Sequence, residues 1–152
     1  MPYAVADARQ QLLDTIADAT LELGQAIAAL SEAYEQMDEQ SADRAEALLF
    51  RPVQRAYGRA QRTHADFAAR HGLQARYFEQ PLAGAPSKGP KAFLDHAASQ
   101  VSAADARLAT LQDSMLPVEV GDEQLRAGLE QVRELLAHFA ANVRELERTL
   151  GR

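Results

Sequence analysis

The chain has 152 residues, a formal net charge of −6, 47% hydrophobic and 25% charged residues, and no cysteine. That length and balance suit one domain (residues 1–152) with a real core, and they exclude a disordered chain. The missing cysteine rules out disulfides, thiol nucleophiles and Cys-ligated metals, and the acidic balance disfavours a nucleic-acid partner. No apolar run approaches 18 residues and no charged-then-apolar leader with a cleavage site is present, so the expectation is a cytoplasmic protein without a membrane span.

Alanine is very frequent, aromatics make up only 6%, and β-branched residues are sparse. Such side chains lose little on entering a helix, so nearly the whole chain reads as helical. The first predicted helix runs from Val5 to Gln40. Ile16, Leu23, Leu30 and Met37 form one row, Leu12, Ala19, Ala26 and Ala33 the next, and Leu13, Thr20, Ile27 and Tyr34 flank them. Large residues beside a row of alanines predict close approach to a neighbouring helix. Ser41 is the expected N-cap of a second helix over Ala42–His71, with Gly72 placed to end it. Its seam is Leu49, Val53, Ala56, Ala60 and Phe67, which stays in register across Pro52, so a kink is expected there instead of a break.

Residues 72–90 hold Gly72, Pro81, Gly84, Pro86, Gly89 and Pro90 and read as a long connection, with Leu73, Tyr77, Phe78 and Leu82 available to pack against the bundle. The third helix is expected from Pro90 or Lys91 to Met115, stopped by Pro117. Asp122 then caps a fourth helix whose seam steps by four and three through Leu125, Leu129, Val132, Leu136, Phe139, Val143, Leu146 and Leu150. The predicted fold is all-α: a four-helix bundle of two antiparallel hairpins joined by the 72–90 loop. An up-down-up-down path is preferred over a ferritin-like lengthwise crossover.

No catalytic constellation emerges, and the expectation leans away from an enzyme. A carboxylate-bridged metal pair needs Glu-x-x-His, yet Gln61, Ala68, Phe93 and Leu135 precede His64, His71, His96 and His138 by three. His64 and His71 lie two turns apart, roughly 10 Å, too far to share one ion on a straight helix. No metal and no cofactor is therefore expected. His64 reads as a partly buried histidine near Thr20, His71 as a helix-end residue, and Asp105 as a structural acid at the seam's edge.

Two charge features point outward. Residues 1–40 hold eight acids against Arg9 alone, whereas residues 41–71 carry a net of +3. Arg51, Arg55, Arg59 and Arg62 form a stripe opposite the seam, a candidate surface for an acidic partner or for the acidic face of a second copy. Lys88 and Lys91 flank Gly89-Pro90 beside Ser87 at the mouth of the third helix. With Tyr77 and Phe78 they form the alternative candidate, a small-ligand or anion site. The function expected from this pattern is that of a non-catalytic bundle working through its surface, by self-association or with a macromolecular partner.

Overall fold

The computed structural model describes residues 2–79, 81 and 89–150. Among them there are helices and connections and no strand. The elements are α1 (Pro2–Glu35), α2 (Glu39–Ala45), a π-helical turn (Glu46–Phe50), α3 (Arg51–Arg70), α4 (Pro90–Asp113), α5 (Leu116–Glu119), α6 (Glu123–Leu136) and α7 (Phe139–Leu150). They build four rods: α1, then α2 with the π turn and α3, then α4, then α6 with α7.

The expected bundle is present, and its path is the lengthwise crossover. Glu22 of α1 meets Arg107 of α4, and Gln11 and Thr15 line a groove with Thr110 and Ser114, so these rods are antiparallel. Tyr57 reaches Gly24 while Glu46 lies beside Tyr34, so the second rod also runs against α1. Arg70–Asp122 at one end and Arg44–Glu145 at the other set the fourth rod antiparallel to the second. The second and third rods are thus parallel, and the chain between them travels from one end of the bundle to the other. The preferred up-down-up-down path is corrected on this point. Hydrophobic periodicity specifies which face of each rod is buried, and it carries no information about direction.

Local chemistry fixes the rod ends. Asp38, not Ser41, caps the second rod: its Oδ1 accepts the Ser41 N–H at 2.7 Å. That bond holds the Asp38 carboxyl below the usual carboxylate value. Gly72, at φ +67°, takes the left-handed position after α3, and Leu73 N–H reaches back to Ala68 C=O at 2.8 Å. Asp122 caps α6 as expected, accepting the Leu125 N–H at 2.7 Å. The third rod stops at Asp113, before Pro117, which is buried within α5, a short helix that the hydrophobic pattern did not predict.

Pro52 is absorbed by the π-helical turn in front of it. Proline has no N–H for the carbonyl four residues back, which is that of Leu48. Asn142 of α7 supplies the donor instead, from its side-chain nitrogen at 3.3 Å. The seam passes through unbroken, with Leu49 and Val53 both fully buried. In the fourth rod a tight step at Ala137 and His138 separates α6 from α7, yet Leu136, Phe139 and Val143 stay in the core.

The core runs the length of the bundle through Leu12, Ile16, Leu23, Leu49, Phe67, Leu94, Leu108, Leu129 and Leu146, with the predicted alanines Ala19, Ala26 and Ala33 buried among them. At 25 cal/mol per Å² each large side chain so buried contributes roughly 1.5–3 kcal/mol, which is why the seams dominate the fold. Among the described residues no helix is long and apolar enough to cross a membrane.

Candidate functional site: an arginine groove on the bundle surface

The second and fourth rods approach through small side chains. Gly128 of α6 faces Thr63 of α3, and a Cβ there would overlap the threonine hydroxyl and methyl. Beside this contact the two helices enclose a groove of about 300 Å³, lined by Gln54, Arg55, Gly58, Arg59, Arg62, Gln131 and Leu135. Arg55, Arg59 and Arg62 recur at four and three residues, so all three project from one side of α3. Arg55 to Arg62 covers roughly 10 Å at 1.5 Å per residue.

The groove is polar and cationic. Arg59 donates through Nε to the Gln131 Oε1, which fixes its guanidinium at the centre. Arg55 and Arg62 have no carboxylate within 4 Å among the described residues, and no acid contributes to the lining. Gly58 lies between them, and a Cβ at this position would meet only the tip of Arg62, at 3.4 Å. Packing therefore does not require glycine there, although glycine in a helix costs about 0.5–1 kcal/mol relative to alanine. Its effect is to leave the groove floor open between two guanidinium groups.

Towards the bundle end an acid enters the lining. Asp66 joins Arg59 and Arg70 around the adjoining depression, with Thr63, Gln124 and Ala127. Arg70 is committed: its Nε and Nη2 donate to Asp122 at 2.8 and 2.9 Å, and His71 Nε2 lies 3.0 Å from the same carboxylate. Burial raises the Asp122 pKa, but the bonds from Arg70, the Leu125 N–H and His71 outweigh it and hold the carboxyl well below its usual value. Arg51, the first of the predicted stripe, is exposed and outside the lining. The groove thus gathers Arg55, Arg59 and Arg62.

The alternative ligand residues are not gathered in this way. Ser87 and Lys88 lie outside the described residues. Tyr77 is 89% exposed, whereas Phe78 packs its ring against His64 at 5.1 Å. Lys91 belongs to the opposite end of the bundle, where it faces acids: the Glu147 carboxyl is pushed up to about 7 by burial and by its hydrogen bond and charge contact with Asp95, and Lys91 opposes that rise.

His64 is more buried than the sequence suggests, at 1% exposure, and neither ring nitrogen has a hydrogen-bond partner. Thr20 is fully buried too, but its hydroxyl donates to Ile16 C=O on its own helix. Asp105 has a structural partner, Arg133, whose Nε donates to it at 2.9 Å while Nη1 donates to Gln112. His96 and His138 face solvent. Among the described residues, no three of His, Cys, Asp and Glu converge as metal ligands would.

Sequence reasoning found the arginines and missed the groove, because Gln131 and Leu135 come from a rod more than 70 residues later. Gly58 was the available signal, a glycine inside a strongly helical stretch between two arginines. Comparison with protein-family models, with curated proteins and with solved structures finds no match.

Proposed function

We propose that the protein is a non-catalytic helical bundle that works by docking a short acidic segment of a partner protein into the α3–α6 groove. The observation that carries this reading is a line of three arginines, none with a carboxylate within 4 Å among the described residues, facing a groove with no acid in its walls. Guanidinium groups bind carboxylates through paired, charge-assisted bonds, and a groove of roughly 10 Å suits carboxylates spaced three and four residues apart on a partner helix.

A protein partner is favoured over a nucleic acid by the charge of the rest of the molecule. The net charge is −6, so a long polyanion leaving the groove meets repulsion. A compact acidic segment stays within a Debye length of the arginines, about 8–10 Å at physiological salt. A second copy of this chain is a less suitable occupant. Its exposed Asp7, Asp14 and Asp18 stand on α1, and two copies that each carry a net charge of −6 repel one another as whole molecules.

The test is fluorescence anisotropy with a labelled helical peptide carrying glutamates at i, i+4 and i+7, and with a labelled oligouridylate of equal charge. The peptide should bind, weaken steeply with added salt, and lose about tenfold or more affinity to Arg55→Glu/Arg62→Glu, consistent with charge-assisted contacts of about 1.5–3 kcal/mol. No peptide binding at low salt, or tighter binding of the oligouridylate, overturns the reading.

A further inference from the structure

After Gly72, residues of the crossover chain touch the furrow between α1 and α3. Phe78 sits edge-on to His64 at an interplanar angle of 83°, and Pro81 rests on Gly24 and Tyr57. Phe78 and Pro81 thus meet α3 at His64 and at Tyr57, seven helical residues or about 10 Å apart. A glycine makes the bed for Pro81: Gly24 of α1 is buried there without a side chain. A Cβ at Gly24 would come within 3.3 Å of both Pro81 and Tyr57.

This strap is lightly held. Gln74, Ala75, Arg76, Tyr77 and Glu79 are exposed. Of its described residues, Leu73 alone has its backbone hydrogen-bonded to the bundle. Beneath it lies His64, whose two ring nitrogens are both sealed from water and unpartnered. A buried polar group without a partner costs about 1–3 kcal/mol, and a buried unpaired charge costs more.

The arrangement points to a pH-released latch: we infer that protonation of His64 detaches residues 73–79 from the α1–α3 furrow while the four rods stay packed. The charged groups around the imidazole give the direction. Arg76 is on the strap and repels an imidazolium, whereas Asp14 is on α1 and attracts it. A proton on His64 therefore pushes away the element that covers it and is retained by the element that stays. Burial first, and Arg76 second, lower the His64 pKa from its usual 6.5, with Asp14 opposing. With the folded value depressed, the closed strap is fully stable above pH 6.5 and loses stability as pH falls through the depressed value.

The test is NMR of the full chain between pH 8 and pH 5, following the His64 ring and the backbone amides of residues 73–79. The strap amides should move towards random-coil positions with the midpoint of His64. Between pH 6.5 and that midpoint the released fraction should rise about tenfold for each pH unit lowered, the slope of one linked proton. Seam amides such as those of Leu94 and Leu129 should not follow. His64→Leu should keep the strap closed across this range, and Phe78→Ala should open it at neutral pH in an otherwise unaltered bundle. Strap amides that ignore the His64 titration, seam amides that melt with it, the same acid release in His64→Leu, or a closed strap in Phe78→Ala would each overturn the proposal.

Discussion

Asp122 shows how much one side chain can organise at a rod end. It satisfies the Leu125 N–H of α6 and holds Arg70 and His71 at the end of α3, joining the second and fourth rods. Replacing it with alanine removes a helix cap and leaves charged donors without their acceptor, an expected loss of about 2 kcal/mol near neutral pH. The folded carboxyl titrates below its ordinary 3.8, so its contribution is present above that value and lost as pH falls through the depressed one. Urea unfolding of wild type and Asp122→Ala should therefore differ clearly at pH 7 and less at pH 3. An equal difference at both would mean the carboxylate charge has no role. The cap itself was legible in the sequence as an acid following Gly121. Its partners were not, because Arg70 stands 52 residues away and only the assembled bundle brings them together.

At the scale of elements, helical periodicity was sufficient to place all four rods and their buried faces. What it could not supply was direction, the strap and the close approach of α3 to α6. Gly24, a glycine inside a long helix, was the available signal for the strap, since it leaves room for Pro81 where a helix core would carry a leucine. Gly128 belongs to the same category. A Cβ there collides with Thr63, whose buried hydroxyl already donates to Arg59 C=O. Gly128→Ala should lose about 1–3 kcal/mol through overpacking, offset in part by about 1 kcal/mol of helix propensity. The loss should shrink in a Thr63→Ala background, where the colliding groups are gone. Thermal denaturation of the two single variants and the double variant checks this, and strict additivity would contradict the contact.

For the whole molecule, burial and charge divide the labour. Apolar side chains fill the space between the rods, and the charges that remain unpaired sit outside, with the open arginine groove on one flank and the acids of α1 on another rod. The central claim is that binding belongs to this exterior groove. An amide-detected NMR titration of the labelled protein with the acidic peptide tests it most directly. Shifts should concentrate at Arg55, Gly58, Arg59, Arg62 and Gln131, and vanish in Arg55→Glu/Arg62→Glu while the spectrum stays that of a folded bundle. Shifts centred on Lys91 and Asp95 at the bundle end, or spread through the buried seams, would contradict it.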